Sequence, residues 1–575
     1  MQNKYFKIRI WCVGFFFLVS FVAIGAKAVH LQVYRSLWLS EKASNQYEKS
    51  LTASGKRGII YDRNLQQMAV SIEVTSIAAY PSKISDTKAT AKILANTLDL
   101  SLRKTQRKLA SKKSFVWIKR QTTAKETKAI QDRQLPGIDF VSEYSRFYPN
   151  KTLAAQALGF TGLDGKGLEG IEFYYDPHLQ GELSNIKMFK DALGNGFSAE
   201  SRQFHHNGGQ NLVLTIDSNI QFITESALKA AAKQHSARSA LAIVMQPRTG
   251  AILAIAHYPL FNPNSYLSFD KALWRNRALT DPFEPGSTMK IFSAAAALES
   301  GGITPNTIFF CENGAYRIGK NVVHDIRKYG WLSLQQIIKF SSNIGAVKVS
   351  EKVGAKKLYH TFRDFGFGQK TGIDCPGETP GSLSHYKTWS DIDTAAISFG
   401  HGLSVSAIQL ISAVATIAND GILMKPYLLQ EITDQHGRTI NRFMPRQVRR
   451  VVSVRTARIV KNIMQTVISE GGTGINAALD GYSVGGKTGT ARKLNEKGKY
   501  SHRKHIASFV GFTPAYNPEI AILVVIDEPQ GKYHGGLVAA PVFKSIANEI
   551  LNYLNIPPEG GPSRFRVSLG IKAKG

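Results

Sequence analysis

The first pattern along the chain is a continuous apolar run. From Ile10 to Ala26, seventeen consecutive positions are apolar or small. As a helix they reach about 25 Å, and the flanks complete the ~30 Å of a bilayer's hydrocarbon. Lys4, Lys7 and Arg9 precede the run and no acid does, which predicts a cytoplasmic N-terminus and export of the rest. Ala26-Lys27-Ala28 imitates a small-x-small cleavage site, so a signal peptide is the competing reading. The run is long for one, and the anchor is preferred. The expected layout begins with a cytoplasmic tail (1–9), a transmembrane anchor (10–28) and a linker (29–49).

Beyond the linker the pattern is mixed. Residues 57–64 read as a strand running into a turn, 86–110 and 123–133 as helical, and 159–170 as rich in turn residues. Asn207-Gly208-Gly209 marks a boundary. Past it, residues 211–216 alternate like a strand, and Ser218 is expected to cap a helix reaching Gln234. Residues 240–245 and 251–257 read as strands joined by the turn Pro247-Arg248-Thr249-Gly250. Helical segments follow at 285–300, 334–340 and 344–353. Strands at 507–512 and 519–526 flank Pro514-Ala515-Tyr516-Asn517-Pro518, and 542–554 reads as a closing helix. Strands at both ends with helices between predict one α+β domain with an antiparallel sheet flanked by helices. The expected boundaries are 50–206 for the mixed domain, 207–556 for the α+β domain and 557–575 for a flexible tail.

Composition changes the picture only in part. Across 575 residues, 43% hydrophobic and 20% charged is ordinary globular usage, which excludes wholesale disorder and a polytopic membrane protein. The net charge is +30. Export makes nucleic acid an unexpected partner and points the charge to lipid head groups or envelope polymers. Residues 101–135 hold eleven Lys/Arg against Glu126 and Asp132, and 436–469 hold eight with no acid. Solvated helix faces are the preferred reading of both. Cys12, Cys311 and Cys375 are too few for a disulfide framework, and Cys311 and Cys375 are expected to be free and buried. His205-His206 has no evident third ligand and no H-E-x-x-H occurs, so neither metal nor cofactor is expected.

The candidate chemistry lies in three short motifs. Ser287 and Lys290 are three apart at a helix start and so share a face. The first turn offers unpaired N–H groups and a positive dipole to an oxyanion. Serine needs a base, and neutral lysine can serve once its pKa falls by about 3 units from 10.4. S-x-x-K alone is weak. Ser341-Ser342-Asn343 follows between two helical patterns, and Lys487-Thr488-Gly489-Thr490 follows in a Gly-rich, strand-like window. Ser341 is expected to relay a proton and Asn343 to bind a substrate amide. Lys487 would supply a like charge and, with Thr488 and Thr490, hold a carboxylate. The small Gly489 would let an acyl chain lie against the strand edge.

With these motifs the sequence resembles the class B penicillin-binding proteins. Arg57-Gly58 to Asp62-Arg63-Asn64 and Met68-Ala69-Val70-Ser71 are similar to the family's N-terminal pedestal signature, with Leu65 where that signature has Gly. Arg146-Phe147-Tyr148-Pro149, Gly159 to Gly170 and Gly531 to Phe543 resemble the septal, FtsI-type members. The resemblance implies an elongated pedestal (dimerisation) domain, a transpeptidase domain and one transmembrane helix. It implies a serine D,D-transpeptidase that cross-links peptidoglycan stem peptides ending in D-Ala-D-Ala, with Ser287 as nucleophile, the N–H groups of Ser287 and Thr490 as oxyanion hole, and β-lactams as mimics. The implied partners are a membrane glycan polymerase and other divisome proteins, and the implied location is the inner membrane with a periplasmic catalytic domain.

Rival readings fare less well. Gly481 to Thr488 satisfies the G-x-x-x-x-G-K-[ST] pattern of a P-loop, with Leu523 to Glu528 imitating the acidic strand. A P-loop must open a helix, and Thr490 to Asn495 shows no apolar helical stripe. An elongation-type transpeptidase differs in biological role only. A carboxypeptidase or β-lactamase shares the first step and needs a further general base for deacylation. A sensor needs a larger cytoplasmic part, and an inactive scaffold does not need three intact motifs.

Overall fold

The structure is a computed structural model and describes residues 2–36, 38, 48–53, 55–181, 184–190, 196–198, 208–494 and 499–559. The His205-His206 pair, the linker from 39 to 47 and the tail from 560 lie outside them. The N-terminal helix spans Gln2–Val29. The stretch Lys7–Tyr34 is long and apolar enough to cross a membrane, and none of its apolar window is buried among the described residues. This follows from the absence of any charge between Arg9 and Lys27.

Two compact units follow from the chain's contacts. The smaller comprises residues 1–56, 72–145 and 181–208, the larger 57–71, 146–180 and 209–575. In the smaller unit the helical stretch at 86–110 is two helices, Thr87–Leu98 and Leu102–Leu109. The first starts at Asp86, whose carboxylate accepts from the N–H groups of Lys88 and Ala89, and ends at Asp99 in the left-handed region (φ +53). Helix Ala124–Gln131 opens with a Thr123/Glu126 capping box. Leu94, Leu98, Leu109, Ile118 and Ile130 pack into this unit's core. Arg103, Lys104 and Arg107 are exposed while Thr105 and Leu109 are buried, the amphipathic pattern of a solvated face, and Lys108 Nζ turns back to donate to Trp117 O at 2.8 Å.

The larger unit is built on a five-stranded antiparallel sheet. Its order is Ile252–Tyr258, Ser239–Met245, Ile520–Asp527, Tyr500–Thr513 and Gly485–Leu494. Ser239–Met245 and Ile520–Asp527 are buried at every position, so both faces are covered. Helices Ser218–Gln234 and Ala540–Tyr553 pack on the sheet and on each other, and Ala407–Ala418, buried along its whole length, packs on the central strands. Gly485–Leu494 is an edge strand and keeps one side free of strand partners.

Two local expectations change. Asp217, not Ser218, caps helix Ser218–Gln234: its carboxylate accepts from the N–H groups of Asn219 and Ile220. A carboxylate also complements the helix dipole, and Ser218 becomes the first helical residue. Leu65 keeps the pedestal turn despite lacking glycine's freedom, standing at φ +61 while Asp62 Oδ1 accepts from the N–H groups of Asn64 and Gln66 at 2.8 Å each. The acid-free stretch is not one helix face, since Thr439–Arg442 and Gln447–Arg450 are strands and only Val454–Thr466 is helical, and it finds acids elsewhere: Arg438 meets Asp434, Arg442 meets Glu431 and Lys461 meets Asp420. Cys311 and Cys375 are free and buried.

Candidate active site

The nucleophile segment is shaped by close backbone approach. Gly286 adopts φ +55, and a Cβ there would lie 3.0 Å from the Thr490 carbonyl oxygen of the edge strand and 3.6 Å from its nitrogen. Only glycine allows that conformation and that contact together. Residues Gly286–Met289 form a 3₁₀ turn that continues as helix Lys290–Glu299. Every residue from Lys290 to Leu298 is buried, so Lys290 stands on a helix held on all sides.

Ser341 ends helix Leu334–Phe340 in the left-handed region (φ +61), and Asn343 opens helix Asn343–Val353. The strained serine turns both its carbonyl and its hydroxyl toward the nucleophile helix. Lys290 Nζ lies 3.1 Å from Ser287 Oγ, 2.7 Å from Ser341 O, 3.3 Å from Ser341 Oγ and 2.7 Å from Asn343 Oδ1. Lys487 Nζ, from the edge strand, reaches Ser341 Oγ at 3.0 Å. The structure therefore joins Ser287, Lys290, Ser341, Asn343 and Lys487 in one hydrogen-bonded cluster.

Both lysines are 0% exposed. Burial lowers the Lys290 pKa to about 7, against a smaller opposing pull from Asp325. Burial and the neighbouring Lys290 hold Lys487 well below its ordinary value. Among the described residues no carboxylate is bonded to either ammonium.

Thr488, Gly489 and Thr490 lie on Gly485–Leu494 beside the nucleophile turn. Thr488 Oγ1 donates to Thr473 Oγ1 at 3.2 Å, and Thr490 Oγ1 accepts from Gly535 N at 3.1 Å. Gly489 has a packing reason of its own. A Cβ there would meet Ser508 Oγ at 2.3 Å and Pro285 O at 3.0 Å, so the glycine lets the edge strand approach the nucleophile turn. Because Lys487 and Thr488 sit in a strand with no helix opening after them, the P-loop reading is excluded.

Sequence reasoning missed Asp325. Its Oδ2 accepts from Ser342 Oγ at 2.5 Å, and its Oδ1 accepts from the backbone N–H of Asn343 and, at 3.1 Å, of Ile344. Asn343 Nδ2 donates to the neighbouring His324 O at 3.0 Å. Two side chains, Ser342 and Asp325, thus fix the start of the helix that presents Asn343. It also missed the role of Glu284, three residues before Ser287. Glu284 is held by His401 Nδ1 at 2.8 Å, Gly402 N at 3.0 Å and Tyr500 OH at 2.9 Å.

Comparison with known proteins places the chain in a family. The penicillin-binding protein transpeptidase domain matches residues 240–548, and the penicillin-binding protein dimerisation domain matches residues 52–214. A probable peptidoglycan D,D-transpeptidase, PenA, of Neisseria meningitidis is 36% identical over 546 residues, covering 94% of this chain and 92% of that protein. The peptidoglycan D,D-transpeptidase FtsI of Escherichia coli K12 is 33% identical over 568 residues, covering 96% and 94%. The crystal structure of penicillin-binding protein 3 from Mycobacterium tuberculosis with aztreonam superposes with a TM-score of 0.69 at 27% identity, covering 89% of this chain and 98% of that one. Matched along nearly its whole length, this chain belongs to the class B penicillin-binding proteins, the family of FtsI-type peptidoglycan D,D-transpeptidases.

Proposed function

We propose that this chain cross-links peptidoglycan stem peptides at the division septum through an acyl-enzyme on Ser287. The observation that carries the reading is Lys290 Nζ, fully buried, 3.1 Å from Ser287 Oγ and, among the described residues, free of any bonded carboxylate. Near neutral pH such a lysine is available as a base. Ser287 Oγ attacks the carbonyl of the penultimate D-Ala and passes its proton to Lys290. The oxyanion faces the N–H groups of Ser287 and Thr490. When the peptide bond breaks, a proton returns through Lys290 and Ser341 Oγ to the departing D-Ala amine. The acceptor amine then attacks the ester, loses its proton to the same relay and releases Ser287. Asn343 orients the substrate amide, while Lys487, Thr488 and Thr490 hold the terminal carboxylate.

Two carboxylates tied to the motif segments support transfer over hydrolysis. Asp325 is occupied by Ser342, Asn343 and Ile344, and Glu284 by His401, Gly402 and Tyr500. Neither is placed to activate water at Ser287. The test is intact mass against time for the detergent-solubilised chain with a penicillin, beside Ser287→Ala. A lasting adduct on Ser287, absent in the variant, is expected. Rapid turnover without an adduct would indicate a hydrolase.

We further propose the layout the sequence suggested: an inner-membrane anchor at 10–28 with a cytoplasmic N-terminus, an exported pedestal at 50–206 and a transpeptidase domain at 207–556. A membrane glycan polymerase and other divisome proteins are the proposed partners. Depletion in the native cell separates the roles: filamentous cells are expected, whereas rounded cells would indicate an elongation enzyme.

A further inference from the structure

Between the helices that carry Lys290 and lead to Ser341, the chain makes an excursion whose surface no step above uses. Strands Ile308–Phe310 and Trp331–Ser333 pair to close its base, and Ala315–Ile318 pairs with Asn321–His324 as a protruding ribbon. The ribbon is fastened to helix Asn343–Val353. Lys348 bridges Glu312 at 3.1 Å and sits 3.6 Å over the Tyr316 ring, and Tyr316 OH donates to Glu351 at 2.9 Å. At its return, His324 and Asp325 hold Asn343 directly.

The outer side of this excursion is basic and apolar. Arg317, Lys320, Arg327 and Lys328 are exposed, and among the described residues none of them forms an ion pair. Both acids of the excursion are committed, Glu312 to Lys348 and Asp325 to the start of the Asn343 helix. Ile326 is 87% exposed and Trp331 65%, with the Trp331 ring 5.2 Å from Phe310. Large apolar side chains left in water beside unpaired cations mark a surface that meets an anionic partner.

We propose that residues 315–331 dock the acceptor stem peptide, a carboxylate-bearing peptide on a neighbouring strand. The inference rests on the transpeptidase reading above. Charge complementarity names the ligand class: four unpaired cations face a peptide whose free carboxylates remain ionised at neutral pH. Position separates acceptor from donor. The donor's terminal carboxylate belongs to the Lys487–Thr490 strand, while the ribbon adjoins Asn343. From there an arriving amine meets Ser341 and Lys290, the groups that take its proton. Ile326 and Trp331 supply apolar contact, and Arg327 and Lys328 steer the anionic peptide.

The test uses the full chain in detergent, a small D-Ala thioester as donor and two acceptors: a soluble stem peptide with free carboxylates and D-alanine amide, which carries none. Arg327→Glu with Lys328→Glu is expected to raise the half-saturating stem-peptide concentration about tenfold. D-alanine amide use and penicillin acylation should stay unchanged. High salt should remove the wild-type advantage but not affect the variant. Trp331→Ala is expected to weaken stem-peptide use alone. Equal losses for both acceptors, or none, would overturn the proposal, as would loss of binding to anionic lipid vesicles with acceptor use intact. If the reversed-charge variant no longer acylates, Arg327→Gln with Lys328→Gln is read by the same criteria. Failure of the wild type to acylate would instead refute the transpeptidase reading.

Discussion

Two clusters of buried cations lie in the larger unit, and they solve the same electrostatic problem in opposite ways. Arg57 and Arg146 close on Glu172, which is 0% exposed, with Nε to carboxylate distances of 2.6 Å on each side. Burial pushes the Glu172 pKa up, but the two guanidinium groups outweigh it and hold the group below its ordinary value of 4.5. Lys290 and Lys487 are buried as deeply and share Ser341 Oγ, with no carboxylate bonded to either among the described residues. Their burial goes uncompensated, and their pKa values fall. Arginine stays charged under all these conditions, so the first cluster is fixed. Lysine can give up its proton, so the second cluster can do chemistry. A buried cation with a carboxylate serves structure, whereas one without a carboxylate is poised as a base.

Removing one lysine gives the sharpest contrast. Lys290→Met is expected to slow acylation by penicillin about 10³-fold, the scale of a lost general base, while thermal unfolding changes little. A stopped-flow measurement of acylation checks it, and retention of near wild-type rates would break the comparison. Glu172→Gln should do the reverse. It leaves Arg146 facing a neutral amide while Arg57 keeps Asp176, at a cost of about 3 kcal/mol. The unfolding midpoint should drop clearly, while folded molecules still acylate. If acylation were abolished in protein shown to be folded, the cluster would not be purely structural.

The two clusters should also oppose each other in pH dependence. Below about pH 7 Lys290 takes a proton and stops acting as a base, so acylation should fall about tenfold per unit and level off above 7. Stability has its own signs. Lys290 binds fewer protons folded than unfolded between about 7 and 10.5, so its contribution to stability rises with pH across that window, and the depressed Lys487 acts in the same direction. The depressed Glu172 contributes stability that is present above about 4.5 and lost as pH falls through its folded value. A flat acylation profile between pH 6 and 8 would remove Lys290 from the role of base.

What was legible in the sequence follows from how local each feature is. Ser287 and Lys290 share a helix face by spacing alone, and Ser341-Ser342-Asn343 falls between two helical patterns that the structure keeps as separate helices. The central strands were readable because they are buried on both faces and carry unbroken apolar runs. Arg57 and Arg146 stand in family-like motifs, but their meeting at Glu172 joins residues 115 and 26 positions apart and leaves no periodic trace. Asp217 and Ser218 are both good cap types one residue apart, so residue type alone does not separate them. The function of Gly489 depends on Ser508 and Pro285, which come from other segments. Asp325 escaped for the same reason: its ligands lie 17 to 19 residues later, reached only because the ribbon folds back.

Asp325 is the group that lies between the two solutions, a carboxylate near the lysine pair but not bonded to it. It raises the Lys290 pKa through space while anchoring Asn343 through its own hydrogen bonds. Asp325→Asn keeps the size and loses the charge. The amide oxygen can still accept from the start of the Asn343 helix, so the protein should fold. Losing charge-assisted bonds worth about 1.5–3 kcal/mol in such settings loosens Asn343, and the plateau of the acylation rate should fall severalfold. With the carboxylate gone, the neutral form of Lys290 is favoured, and the midpoint of the pH profile should move below 7. A lower plateau with an unmoved midpoint would confine Asp325 to positioning. A midpoint that moved upward would contradict the assigned electrostatics, because it would require the carboxylate to favour the neutral lysine.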